Sequence, residues 1–294
     1  MDFAVAFLRG LTAVALFVVF GAGALLISPL MFLLRDPPHG QPVVRATWRF
    51  VVALFCWTRL IKVERGNLED WRGAVLVANH PSLIDVVLLV SLVPRTLYVA
   101  KSALRRSPFL GAIVRATALP DDATLPDVAA PYLKGGWNVL IFPEGTRTPW
   151  RNNRIIEWSN DRMGEMGGRG AMGGRGAGGA MGGMGAGGAG GGMGAEGAVG
   201  ERGAGGGMVL KRGAAQLALR ANAPVVCVRE RLSRRILAKG QKPWDMGTER
   251  VVFSFDAAAP IAPASFPRAA SSRVAASELT EMIRRHLPDS GKLW

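Results

Sequence analysis

Ala74-Val75-Leu76-Val77-Ala78-Asn79-His80-Pro81-Ser82-Leu83-Ile84-Asp85 is the stretch that decides the fold. Its first five residues are small or apolar and are bounded by Gly73 and Asn79, which reads as a short strand buried on both faces. The apolar run over residues 82–93 is long enough for a helix, and Pro81 suits that helix's first turn. The same alternation continues outward. Residues 97–100 read as a strand with Lys101 just past its end, and residues 127–134 as a short helix stopped by Gly135-Gly136, against the grain of Pro131. Residues 138–142 read as another buried strand, residues 211–220 as a helix that ends at Asn222, and residues 224–228 and 251–255 as further strands. Residues 277–286 close the pattern as an amphipathic helix. Strands alternating with helices put the chain in the α/β class.

The 294 residues are 49% hydrophobic, but the apolar weight is uneven. Residues 11–34 carry no charged side chain over 24 positions, whereas roughly 20 apolar residues suffice to cross a hydrocarbon core. The run is too long for the apolar part of a signal peptide, and no small-residue cleavage pattern follows it. Residues 1–36 are therefore expected to form an N-terminal membrane-anchoring helix, which Gly21, Gly23 and Pro29 would allow to kink or re-enter. Residues 42–65 are shorter, with Trp and Arg near both ends of the apolar part (Trp48, Arg49, Trp57, Arg59), and suit an amphipathic segment lying in the interface. The formal net charge is +14. Arg35, Arg45, Arg49 and Arg59 follow the anchor and Arg9 alone precedes it, so the positive-inside rule places the remainder of the chain on the cytoplasmic side. Basic charge attracts anionic lipid and nucleic acid alike, and does not choose between them.

Composition changes sharply after residue 157. Residues 164–207 hold 24 of the 38 glycines and no aromatic side chain. Such a tract buries little and loses much backbone entropy on ordering, so residues 158–207 are expected to be a flexible insertion in a domain spanning residues 70–294. Gly-Arg repeats bind RNA in some settings, but base stacking wants aromatic rings, and the expectation is no specific nucleic-acid partner. Cys56 and Cys227 show neither metal spacing nor a disulfide framework and read as apolar fillers.

Two segments carry chemistry. His80 and Asp85 are placed so that a carboxylate about one turn into the helix reaches the ring and fixes its tautomer, as in a serine-hydrolase triad. His39 and His286 have no comparable setting and read as surface residues. The second segment, Phe142-Pro143-Glu144-Gly145-Thr146-Arg147, follows a buried strand, and the carboxyl ends of strands are where open α/β sheets bind ligands. Arg147 offers a planar fork for phosphate or carboxylate, and Gly145 a close backbone approach.

Asn79-His80 with Asp85 five residues on, then Phe142-Pro143-Glu144-Gly145-Thr146-Arg147, resemble the first and third motifs of the glycerolipid acyltransferases. Lys211-Arg212-Gly213-Ala214 and Ala223-Pro224-Val225-Val226 resemble later parts of the same family. The resemblance implies a mixed central sheet flanked by helices, with His80 as catalytic base, Asp85 as its partner, and Glu144, Gly145 and Arg147 as the acceptor-binding turn; Thr146 in that turn and Lys101 are expected to bind the acceptor as well. It implies transfer of a fatty acyl chain to a hydroxyl of a lyso-glycerolipid of the 1-acyl-glycerol-3-phosphate kind at a bilayer, with acyl-CoA or acyl-carrier protein as donor; no metal or other cofactor is expected. The expected location is a bacterial inner membrane with the catalytic domain on the cytoplasmic side. One departure bears on the acceptor. Family members that act on phosphate-bearing acceptors commonly end the second motif in arginine, whereas this chain reads Leu119-Pro120-Asp121-Asp122, with Lys101 and Arg115 as possible substitutes. A non-phosphatidate lyso-lipid, or a non-catalytic lipid-binding scaffold on the same fold, are the alternatives.

Overall fold

Val75–Ala78 does form a strand with all four residues buried, and it lies near the middle of a seven-stranded sheet. The computed structural model describes residues 2–34, 37–107, 110–143, 150–151, 154–155, 210–238, 240–268 and 271–287. Glu144, Gly145, Thr146, Arg147 and the glycine-rich residues 158–207 lie outside the described residues.

In chain order the elements are α1 (Asp2–Leu33), α2 (Pro37–Trp57), β1 (Ile61–Glu64), β2 (Val75–Ala78), α3 (Asp85–Leu92), β3 (Thr96–Ala100), α4 (Ser102–Arg105), α5 (Gly111–Thr117), β4 (Ala118–Pro120), α6 (Leu125–Lys134), β5 (Asn138–Ile141), β6 (Trp150–Arg151), β7 (Arg154–Ile155), α7 (Gly213–Ala221), β8 (Val225–Leu232), β9 (Val251–Ala257) and α8 (Ser272–His286). The sheet order is β1-β9-β8-β2-β5-β3-β4, while β6 and β7 form a separate two-stranded ladder. Strands β8, β2, β5, β3 and β4 run parallel, and β9 pairs antiparallel with β8 and parallel with β1, so the sheet is mixed.

Helices cover both faces, which is why β2 and β5 show no polar alternation. Helices α1, α2, α3 and α5 pack together over Leu76, Ala78, Leu140, Val226 and Val228. Helices α6, α7 and α8 cover the other face, with Leu217 and Leu279 fully buried. Asn138 ties the amino edge of the sheet, accepting from Ala74 N at 3.1 Å and donating to the carbonyls of Trp71 at 2.7 Å and Pro94 at 3.2 Å.

Helix α1 is continuous through Gly21, Gly23 and Pro29, with no break or re-entry, and it is long and apolar enough to cross a membrane. One stripe of it, including Ala13, Ala24 and Met31, is buried against the domain. Arg9 fixes its start by donating to the carbonyls of Gly247, Arg59, Leu60 and Glu249. The opposite stripe exposes Phe3, Phe7, Leu11, Val18 and Leu26. In α2, Trp48, Val51 and Phe55 turn into the core, while Phe50 and Trp57 stay outside.

Helix α3 begins at Asp85, three residues later than its apolar run suggests. The Asp85 carboxylate takes the Ser82 N–H and hydroxyl, and this loop holds residues 82–84 as a bend. Pro81 therefore precedes the helix instead of sitting in its first turn. The terminal helix starts earlier than expected, because Ser271 caps it by accepting from Val274 N at 3.3 Å. His286 is not a free surface residue: its Nδ1 lies 2.8 Å from the Met282 carbonyl, and its own carbonyl accepts from Arg229 at 3.0 Å.

Candidate active site

β2 pairs with β8 as far as Ala78 and Val228. One residue later, the Asn79 side chain continues the pairing: its amide donates to the Glu230 carbonyl at 2.9 Å and accepts from the Glu230 N–H at 2.8 Å. Asn79 thus behaves as one more rung of the ladder, and it fixes the direction in which the chain leaves the sheet. His80 comes next, at the carboxyl edge of the parallel strands.

His80 Nδ1 lies 2.8 Å from Asp85 Oδ2. The same oxygen accepts from Ser82 N at 2.8 Å, and the Ser82 hydroxyl donates to Asp85 Oδ1. The carboxylate is fully buried, whereas the His80 side chain keeps 18% of its surface open. An acceptor on Nδ1 places the proton there and leaves Nε2 with a free lone pair. The ring is also stacked on Phe142, with centroids 4.4 Å apart and planes inclined by 30°. Two contacts therefore set the ring, a carboxylate behind it and an aromatic plate beside it, with an open cavity in front of it.

The cavity measures about 390 Å³. It opens where β2, β3, β4 and β5 end, and its walls include His80, Val86, Leu104, Leu125, Phe142 and Pro143. This is a normal size for a ligand site, and the mostly apolar wall with a few polar groups is the usual pattern. Tyr98 also borders it; burial pushes its phenol up to about 12, so it is neutral at physiological pH. Among the described residues, the charged groups on the wall are Lys101, Asp121 and Lys211. Lys211 Nζ stands 4.0 Å from Asp121 Oδ2, and its backbone N–H donates to the Pro143 carbonyl at 2.9 Å.

The structure brings His80, Asp85 and Lys101 to one place. Glu144, Gly145, Thr146 and Arg147 lie outside the described residues, although Pro143, immediately before them, is on the cavity wall. Neither Asp122, at the end of the departing motif, nor the possible substitute Arg115 stands at the cavity. Asp122 does not line the cavity; it is exposed and accepts from Thr124 N at 2.9 Å and Thr124 Oγ1 at 2.5 Å, which holds its carboxyl below the ordinary range. Arg115 is turned away as well, donating to the Arg105 carbonyl at 2.6 Å. Asp121 is the residue that faces the cavity, because the edge strand ends at Pro120 and the chain then turns into α6.

Sequence reading also missed Phe142 as a ring partner, Lys211 as a cavity cation and Glu230 beneath the pair. Glu230 had a signal. In Val228-Arg229-Glu230-Arg231-Leu232 the alternation sets Glu230 with two apolar residues and opposite two arginines, which marks an inward carboxyl.

Together the sheet and the site define an α/β protein with a carboxylate-oriented imidazole over an apolar cavity at the carboxyl edge of parallel strands. The chain belongs to the Acyltransferase family, whose family model matches residues 60–230, more than half of its length. In fold it is similar to the crystal structure of the 1-acyl-sn-glycerophosphate (LPA) acyltransferase PlsC from Thermotoga maritima. That likeness has a TM-score of 0.53 at 20% sequence identity and covers 97% of this chain and 95% of the other. A 1-acyl-sn-glycerol-3-phosphate acyltransferase from Cocos nucifera is 29% identical over 98 residues, which is 30% of this chain and 32% of that relative. The match therefore spans about a third of the curated relative's length.

Proposed function

We propose that the protein is a membrane-bound O-acyltransferase that moves a fatty acyl chain from a thioester donor, acyl-CoA or acyl-carrier protein, to a hydroxyl of a lyso-glycerolipid. The observation that carries this reading is the 2.8 Å contact between His80 Nδ1 and Asp85, with the ring bordering the cavity. The acceptor hydroxyl gives its proton to His80 Nε2, and its oxygen attacks the thioester carbonyl. The new C–O bond forms a tetrahedral oxyanion. The oxyanion collapses by breaking the C–S bond, and the imidazolium returns the proton to the departing sulfur. Asp85 stabilises the imidazolium between these steps, and no enzyme nucleophile is required. α1 is the anchor in this reading, supported by its length and its exposed apolar stripe. Lys101 and Lys211 supply positive charge for an anionic head group, and the expected motif turn of Glu144, Gly145, Thr146 and Arg147 would add to it.

One group on the wall bears on a second acceptor class. Asp121 faces the same space as the lysines and repels a phosphate monoester, which is the observation behind a non-phosphatidate lyso-lipid as the alternative acceptor. Purified protein in detergent, given radiolabelled acyl-CoA or acyl-carrier protein and a panel of lyso-lipids, tests both points. Absence of acyl transfer with every donor and acceptor would leave the lipid-binding scaffold as the surviving reading. Strong preference for lysophosphatidate would reject the second acceptor class.

A further inference from the structure

Glu230 is a buried acid that the proposed chemistry does not use. It has no exposed surface, and neither carboxyl oxygen has a hydrogen-bond donor among the described residues. Its backbone is clamped to Asn79, one residue before His80. The charged group that faces it is the Asp85 carboxyl on α3. Asp85 is itself wholly buried.

Two buried carboxyls side by side do not both ionise, since each charge is desolvated and repels the other. The donors decide which one keeps its proton. Asp85 already accepts from His80 Nδ1, Ser82 N and Ser82 Oγ, all of which favour its charged form. Glu230 accepts from none of them. We infer that Glu230 is a neutral carboxylic acid that gives its O–H to Asp85, and that it acts as a positioning residue for the His80–Asp85 pair. Burial, and then the neighbouring Asp85 charge, push the Glu230 carboxyl well above the ordinary carboxylate range, in keeping with this. A fourth donor locks the Asp85 oxygens in place and tempers the negative charge that His80 feels.

Among the described residues, Asp85 is the charged neighbour that bears on Glu230. Across β9 it is paired with Phe255. Its strand neighbour Arg229 is on the opposite face, bonded to the His286 carbonyl, and Arg231 is exposed. His80, whose titration the test reads, faces Asp85 and borders the cavity that holds Lys101, Asp121 and Lys211.

The inference rests on the proposed acyl transfer only for its kinetic arm. Infrared difference spectra of wild type against Glu230→Gln, in detergent at neutral pH, are expected to show the carbonyl band of a neutral carboxylic acid that the variant lacks. This readout needs no turnover, so it separates a failure here from a failure of the proposed function. In the kinetic arm, Glu230→Gln keeps a neutral donor and should leave the acid limb of the kcat/KM profile in place. Glu230→Met removes the donor and should lose roughly 5- to 100-fold in kcat/KM, the range expected when a buried hydrogen bond is left unmade. Rescue by Gln but not by Met is the expected pattern. Lack of the neutral-acid band, or an acid limb shifted downward in Glu230→Gln, means that Glu230 is ionised and overturns the inference.

Discussion

Asn79 and Glu230 hold each other through two hydrogen bonds, amide to carbonyl at 2.9 Å and N–H to amide oxygen at 2.8 Å. This clamp carries the β2–β8 ladder one rung past its last paired residues and sets where His80 leaves the sheet. Asn79→Ala leaves a buried N–H and a buried carbonyl on Glu230 without partners. The expected loss is about 2–4 kcal/mol in stability, with a fall in any His80-dependent activity at temperatures where the variant is still folded. Denaturant unfolding of both proteins in one detergent checks it. A loss below about 0.5 kcal/mol would show that water replaces the amide and that the clamp is not structural.

Removing the imidazole separates chemistry from binding. His80→Ala should lower acyl transfer by about 10²–10⁴-fold while leaving membrane association and lyso-lipid binding near wild type. Asp85→Asn should also be severely impaired, because an amide can donate to Nδ1 and so place the ring proton on the wrong nitrogen. Turnover at the wild-type rate by His80→Ala would sink the proposed mechanism.

Glu230 also makes stability depend on pH. Its carboxyl is raised in the fold by burial and by Asp85, whereas in the unfolded chain it titrates near about 4.3. Between these two values the folded protein holds a proton that the unfolded chain has lost. Stability from this group is therefore complete below the unfolded value and falls as pH rises toward the folded one, at about 1.4 kcal/mol per pH unit. Glu230→Gln should lack this slope and gain on wild type as the buffer is made less acidic. Denaturation midpoints of the two proteins across a pH series measure the difference, and parallel curves would count against a raised Glu230.

Much of this architecture was legible from the chain. β2, β3 and β5 are short, mostly apolar buried runs with sharp ends, and a strand covered on both faces has no reason to alternate with polar residues. Asn222 marked the end of α7 because it takes the left-handed conformation, with φ of 51°. The pairing of His80 with Asp85 was legible from spacing, but the route was not: α3 starts at Asp85, and the carboxylate reaches backward instead of from a turn further on. What escaped was too short, absorbed in a neighbouring segment or decided by tertiary contact. β4 is a three-residue edge strand too short to show a pattern, and β1 does alternate as Ile-Lys-Val-Glu but falls at the end of residues 42–65, which read as an interfacial segment. Asp121 and Asp122 are adjacent acids of the same type, and only the turn after Pro120 sends one to the cavity and the other to Thr124.

The cavity charges should control acceptor choice without much effect on folding. Asp121 and Lys211 are both partly exposed and 4.0 Å apart, so removing either side chain should alter stability by about 1 kcal/mol or less. Asp121→Asn is expected to lower KM for phosphate-bearing acceptors, and Lys211→Ala and Lys101→Ala to raise it, with kcat changing less. Opposite signs for the acid and the lysines are the signature of a charge effect. Equal losses in all three variants would point instead to a collapsed wall.

Helix α1 offers a paired test of how it docks. A Cβ on Gly10 would meet the Trp244 carbonyl oxygen at 2.6 Å, a backbone atom that cannot move aside cheaply, whereas a Cβ on Gly21 would meet nothing within 4 Å. Gly10→Ala should therefore push the start of α1 off the domain, straining the Arg9 bonds to Gly247 and Glu249, at a cost of about 1–3 kcal/mol. Gly21→Ala should be neutral, or stabilising by up to about 1 kcal/mol, since alanine is the better helix former. Thermal unfolding in detergent, with limited proteolysis of the loop around Trp244, compares the two. If both substitutions behave alike, α1 does not pack on the domain through Gly10, and its buried stripe must be held by Arg9 and by the Phe17–Phe55 ring contact at 5.6 Å.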